Sequence, residues 1–281
     1  MPRIALVTNA AAAIPAELVA RYDITLMPMQ IHFLDGRYEE GNQISNAEFY
    51  ARLLREDVVP STSPPSVGRY ARVFQSLAAE HDVILSVHLS QALSGSYHNA
   101  LAAIEQVRGA RIFLHDSGSA TLGTGLQALT AARLIEQGAG IEALLAALQH
   151  QRERTLVVFA PATLKYMRNS GRLGPIAMTI AAWLNIKPLI KVNDGKLELL
   201  DRARSWEAAL GRQLDEIVSF CKDGPPNEIA VCHVNAIAGA EALAERVRER
   251  FPQAQIYIAD AGPTMAVHIG PGALGLATYQ P

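Results

Sequence analysis

Three short loops collect hydroxyls, glycines and a histidine: Ser61 to Ser66, Ser94 to Ser96, and His268 to Gly272. Hydroxyl oxygens, backbone amides at a helix start and an imidazole can make an anion site, or a nucleophile with its base. The most informative stretch is Ser86 to Ala100. Val83, Ile84 and Leu85 read as a buried strand before it, and Tyr97 to Val107 reads as a helix. Leu93-Ser94-Gly95-Ser96 is then a strand-to-helix turn, where unpaired N–H groups meet the positive end of a helix dipole. Such a turn suits a phosphate or a carboxylate. From spacing alone, each of the three stretches also fits ordinary turn and cap chemistry.

Other chemistries leave weaker marks. Ser94 and His268 could serve a hydrolase or acyltransferase as nucleophile and base. The pattern G-x-S-x-G is absent, however, and no acidic residue is placed to orient His268. Gly123-Thr124-Gly125-Leu126-Gln127-Ala128 matches G-x-G-x-x-A. It begins well past the strand Arg111 to Leu114 and so falls inside a helix, where small residues allow close packing. The eight histidines are scattered. Cys232 and His233 are neighbours on a strand and read as buried strand residues, so no metal site is expected. The apolar helix Ile176 to Leu184, with Trp183, reads as core or as the wall of a cavity.

The elements that must position these residues follow from periodicity and punctuation. Ile4 to Val7 is a strand, Pro15 to Arg21 a short helix, and Ile24 to Phe33 a second strand. Asp35-Gly36 signals a hairpin. Ser45 and Glu48 have capping-box spacing, so a helix begins at Asn46. Val59 to Ser66 reads as a proline-rich loop, and Ser66 caps a helix from Val67 to Ala79. Helices are expected from Ala120 to Glu136 and from Ile141 to Gln151. Past Thr155, Leu156 to Phe159 is a strand, Pro161 to Met167 begins a helix, and Asn193-Asp194-Gly195 joins a hairpin. Strands and helices then alternate to Tyr279. Short apolar runs alternating with helical patterns predict an α/β fold with a parallel sheet. We place an N-terminal α/β domain at residues 1–155 and a second α/β domain at 156–281.

Composition narrows the function. With 281 residues, 49% of them apolar and 19% charged, the chain can bury a sizeable core. A formal net charge of −2 argues against nucleic acid as the main partner. Two cysteines, Cys221 and Cys232, suit a reducing compartment. The first apolar run ends at Asn9, too short for a signal-peptide core. No apolar run approaches the roughly 18 residues of a membrane span. A cytoplasmic protein is expected.

Taken together and in order, several motifs carry a resemblance. They are Thr62-Ser63-Pro64-Pro65-Ser66, Leu93-Ser94-Gly95-Ser96-Tyr97, Asp116-Ser117, and Leu164 to Arg168 with Gly171-Arg172-Leu173. Lys187 to Ile190 with Asp194-Gly195, and His268 to Ala273, complete the series. The chain resembles the DegV family of bacterial fatty-acid-binding proteins from Ile4 to Thr278. The resemblance implies a two-lobed α/β protein with its ligand between the lobes. It implies a long-chain fatty acid such as palmitate, whose carboxylate meets Thr62 and Ser94 beside Gly95. Arg172 and His268 would stand near that head group or its approach. It further implies binding without catalysis and no cofactor beyond the bound acid. A fatty acid kinase that makes acyl phosphate from the presented ligand is the implied partner. Two positions depart from the family pattern: Asn9-Ala10 stands where Asp-Ser is usual, and Pro64 where a polar residue is common.

Overall fold

The computed structural model describes residues 2–56, 58–172 and 186–280. The apolar stretch Ile176 to Leu184 lies outside the described residues. β1 (Ile4–Asn9), β2 (Thr25–Met27), β6 (Val83–His88) and β7 (Arg111–Asp116) form a four-stranded parallel sheet in the order β2-β1-β6-β7. All six residues of β6 are buried, as expected of a strand covered on both faces by helices. Those helices include α3 (Val67–Leu77), α4 (Ser96–Ile104) and α5 (Leu122–Glu136), with α1 (Ala16–Arg21) joining β1 to β2.

A small antiparallel sheet of β3 (Gln30–Phe33), β4 (Gly36–Glu39) and β5 (Ser61–Ser63) sits beside α2 (Asn46–Arg55). Two expectations fail here. The single strand from Ile24 to Phe33 is two strands in different sheets: Met27 pairs with Asn9, whereas Gln30 pairs with Glu39 and Ser63. Pro28 lies between them and cannot donate to a ladder, so the chain leaves one sheet and enters another. Residues 61–63, expected in a loop, form β5 because the edge of β3 takes up their backbone groups.

The second sheet is built by β8 (Thr155–Ala160), β9 (Lys187–Asn193), β10 (Lys196–Ala203), β11 (Glu228–His233), β12 (Gln255–Asp260) and β13 (Leu274–Tyr279). Its order is β10-β9-β8-β13-β11-β12, and only β11 and β12 pair in parallel. The β9–β10 turn has Asp194 at φ 44° and Gly195 at φ 73°, which suits a tight two-residue hairpin. α6 (Ile141–Glu153), α7 (Lys165–Asn169), α8 (Trp206–Phe220), α9 (Ile237–Arg250) and α10 (Gly262–Ile269) complete the described strands and α-helices. Ser45, Ser66 and Ser205 each accept a hydrogen bond from the backbone N–H three residues on, so all three N-caps are closed locally.

α5 is the joint between the two large sheets. Its residues from Leu122 to Leu129 are all buried. A Cβ on Gly123 would fall 2.4 Å from Val157 Cγ2, and one on Gly125 would fall 2.5 Å from the Ala12 carbonyl oxygen. The G-x-G-x-x-A match therefore serves packing. At its far end, Arg133 is fastened to the second sheet through Glu228. That carboxylate accepts from Arg133 Nη1 (2.8 Å), Tyr257 OH (2.6 Å) and Tyr279 OH (2.9 Å), and Arg133 Nη2 also contacts it. With its lone pairs satisfied, the buried charge holds without an open desolvation cost.

Candidate ligand-binding site

A cavity of about 1020 Å³, mouth included, opens between the two large sheets and the small one. Thr62, Ser94, Arg172 and His268 all border it, although they come from four separate parts of the chain. Thr62 is carried by β5, Ser94 by the turn after β6, His268 by the last turn of α10, and Arg172 by the segment after α7. His268 was expected in a loop. It lies on a helix because Gly262, at φ 76°, turns the chain and Pro263 opens α10.

The polar groups are already paired in a particular way. Thr62 Oγ1 and His268 Nε2 are 2.8 Å apart. Burial, aided by the nearby Arg172 guanidinium, brings the His268 imidazole down to about 4, so it is neutral at pH 7. Its Nδ1 has no protein partner among the described residues. Ser94 Oγ lies 3.0 Å from Ser96 Oγ. The pairing of Ser94 with His268 that nucleophilic catalysis would need is therefore not made: each has a different partner. Arg172 Nη1 donates to the Ser170 carbonyl at 2.6 Å, while Nε lies 3.5 Å from the Leu93 carbonyl. Burial lowers the Arg172 guanidinium from its ordinary value, yet an arginine remains cationic.

Gly95 has a different place from the other expected site residues. It is the N-cap of α4, and a Cβ there would lie 3.4 Å from Pro64 Cγ. Gly95 packs its turn beside Pro64, while Ser94 supplies the hydroxyl on the cavity wall.

Beyond these groups the wall is apolar. β8 contributes Val157 and Phe159, the β9–β10 hairpin contributes Val192 and Leu197, and Met29 and Leu89 come from the first lobe. Gly275 of β13 faces Phe159 in register, where a Cβ would meet Phe159 Cβ at 2.9 Å. Cys232, His233, Thr121 and Thr264 also border the cavity. Sequence reasoning had read the first two as ordinary strand residues. Nothing in their local pattern marks them, because a strand's cavity-facing side looks like its core-facing side. Among the described residues there is no group of three or more His, Cys, Asp or Glu that could hold a metal ion. No described helix is long and apolar enough to cross a membrane.

Such a site suits a ligand with one anionic end and a long apolar body. A guanidinium, two hydroxyls and a helix N-terminus meet the charge, and aliphatic and aromatic side chains meet the rest.

Comparison with known proteins agrees in fold and extent. The sequence model of the family described as "Uncharacterised protein, DegV family" matches residues 3–280. A DegV domain-containing protein of Halalkalibacterium halodurans is 30% identical over 280 residues, covering 99% of both chains. The crystal structure of DegV from Bacillus subtilis, described as a fatty acid binding protein, superposes with a TM-score of 0.92 at 26% identity over 100% of both chains. A stearic-acid-binding protein from Eubacterium ventriosum superposes with a TM-score of 0.92 at 25% identity, covering 100% of this chain and 98% of the other. On the evidence of a match running nearly from end to end, this chain belongs to the DegV family.

Proposed function

We propose that this protein binds a long-chain fatty acid, holds its carboxylate at Thr62 and Ser94, and releases it chemically unchanged. The observation that carries this reading is the convergence of Thr62, Ser94, Arg172 and His268 on one otherwise apolar cavity. Solved relatives described as binding fatty acids, one of them stearic acid, support the same ligand class.

The energetics favour a division of labour. An ionised carboxylate in an apolar cleft must be hydrogen-bonded or it neutralises. Hydrogen bonds to a charged group contribute about 1.5–3 kcal/mol each. Burying the tail contributes about 0.8 kcal/mol per CH₂. Ordering the ligand offsets part of both. The tail therefore supplies most of the affinity, and the head group fixes orientation. In this reading the lobes are residues 1–155 and 156–281, and the bound acid is presented in the cytoplasm to a fatty acid kinase that makes the acyl phosphate.

Native mass spectrometry of the purified protein, before and after organic extraction, tests the reading. The expected result is a removable adduct of fatty-acid mass. A stable acyl adduct on serine, or no uptake of added fatty acid, would overturn it.

A further inference from the structure

α10 is tied to the first lobe near both of its ends. At its start the backbone N–H groups all have acceptors, which a helix cannot supply from within itself. Ala261 N–H donates to the His233 carbonyl at 2.8 Å, and Gly262 N–H donates to Asp260 Oδ1 at 3.0 Å. Pro263 has no N–H. Thr264 N–H donates to Glu40 Oε1 at 3.1 Å, and Thr264 Oγ1 donates to Glu40 Oε2 at 2.8 Å. Glu40 is a buried carboxylate of the first lobe, just past β4, and it meets the positive end of the α10 dipole. A Cβ on Gly262 would lie 2.8 Å from Glu40 Oε1, so glycine leaves the carboxylate its room. At the other end of α10, His268 Nε2 stands 2.8 Å from Thr62 Oγ1. Thr264 and His268 are four residues apart, so they share one face of the helix, and both border the cavity. Glu40 follows β4 and Thr62 lies on β5, and both strands flank β3 in one small sheet. That sheet therefore holds α10 at two points one helical turn apart.

We infer that Glu40 is a positioning residue for the head-group site: by capping α10 from the first lobe, it sets His268 against Thr62. The inference rests on the reading of Thr62 as a head-group contact and deepens it. Without the Glu40 carboxylate, the N–H and hydroxyl of Thr264 would be buried with no acceptor, and the first turn of α10 would lose its tie to the small sheet. His268 would then sample more positions against Thr62. The ligand would have to order that pair on binding, a cost that the cap removes in advance.

Isothermal titration calorimetry with lauric acid tests this in the wild type, Glu40→Ala, Glu40→Gln, His268→Ala and the double variant Glu40→Ala/His268→Ala. Glu40→Ala is expected to weaken binding about tenfold. Glu40→Gln keeps an acceptor for the Thr264 N–H and is expected to recover binding to within about threefold of wild type. In the His268→Ala background, Glu40→Ala is expected to change the Kd by less than about twofold, because an effect routed through His268 has nothing left to act on. The inference is overturned if the two factors multiply, if folded Glu40→Ala keeps wild-type affinity, or if Glu40→Gln recovers nothing. Should Glu40→Ala not fold, Thr264→Val takes its place in the cycle. It severs the Oγ1 bond and keeps the N–H, with an expected loss of about threefold that again vanishes beside His268→Ala. A second readout needs no ligand. Burial lifts Glu40 to about 7 and brings His268 down to about 4. Asp260 and Tyr50 face Glu40, Cys232 faces both of them, and Arg172 faces His268. Burial holds the Tyr50 hydroxyl and the Cys232 thiol above their ordinary range. The His268 imidazole resonances are expected to shift with the Glu40 midpoint and to lose that shift in Glu40→Gln; no such shift in the wild type would overturn the inference. Unchanged acid binding in Thr62→Ala would instead overturn the head-group reading itself, and the imidazole titration would still judge the role of Glu40.

Discussion

Thr62 and His268, 206 positions apart, meet at 2.8 Å between Oγ1 and Nε2. The contact ties the small sheet of the first lobe to the last helix of the second, at the polar end of the cavity. Because burial keeps His268 neutral at pH 7, the bond is one between uncharged groups, and the site's fixed positive charge is Arg172.

Removing either hydroxyl should weaken binding without abolishing it. Thr62→Ala and Ser94→Ala are each expected to raise the Kd of a long-chain fatty acid by about ten- to a hundredfold, one charged hydrogen bond apiece. The tail cavity remains, so residual binding persists with a mobile head group. Titration of both single variants and the double variant, with a ¹³C-carboxyl ligand observed by NMR, checks this. Unchanged affinity and carboxyl shift in all three would remove the assignment.

Ser94 should be inert toward serine-directed reagents. Its hydroxyl is engaged with Ser96, and the His268 imidazole is engaged with Thr62. Intact-mass analysis after incubation with a fluorophosphonate is expected to show unmodified protein. Stoichiometric labelling of Ser94 would point to an acyl-transfer enzyme.

Stability should rise from acid pH to about 6.5 and then decline. Burial pulls His88 down to about 3 and His268 down to about 4 from an ordinary value of 6.5. Between those limits the unfolded chain binds more protons, so stability increases with pH. Glu40 has the opposite sign. Burial lifts it from 4.5 to about 7, so the folded chain binds the extra proton across that window and stability falls as pH rises through it. Two imidazoles outweigh one carboxyl below pH 6.5, and Glu40 acts alone above it. Glu40→Gln keeps an acceptor for the Thr264 backbone N–H and should abolish the decline. Melting curves from pH 4 to 8 check it; an unchanged descending limb in the variant would contradict the assignment.

The β9–β10 hairpin, which walls the cavity, is held at its tip. Ser90 Oγ donates to the Gly195 carbonyl at 2.7 Å, and a Cβ on Gly195 would lie 2.4 Å from Ser90 Oγ. Gly195→Ala also forces a side chain onto a φ of 73°. We expect a loss of about 1–3 kcal/mol in stability and faster ligand release, because Val192 and Leu197 lie on the same hairpin. Stopped-flow dissociation and denaturant titration measure the two effects. Release unchanged alongside lowered stability would separate the hairpin from the tail site.

Overpacking at α5 should cost stability. Gly123→Ala places a methyl 2.1 Å from Ser119 Oγ and 2.4 Å from Val157 Cγ2. A loss of about 1–3 kcal/mol is expected from urea titration.

What could be read from the sequence was decided by neighbours in the chain. Ser45, Ser66 and Ser205 cap their helices through hydrogen bonds spanning three residues. Asp194-Gly195 turns its hairpin through its own backbone dihedrals. The run Val83 to Leu85 is buried wherever it lands, because its apolar surface leaves water in any compact fold. Motif order along the chain was enough to indicate the family and which residues to watch.

Other features depend on partners far away in sequence. The backbone groups of residues 24–33 could join either of two sheets, and only the positions of Asn9 and Ser63 settled where the strand divides. Gly95 and Ser94 are adjacent, yet one meets Pro64 and the other lines the cavity. The local pattern around Glu228 gives no hint of Arg133, 95 positions away. Caps and turns are short-range and survive translation into any fold. Sheet pairing and a cavity wall are sums over distant groups, so they exist only once the tertiary structure has brought those groups together.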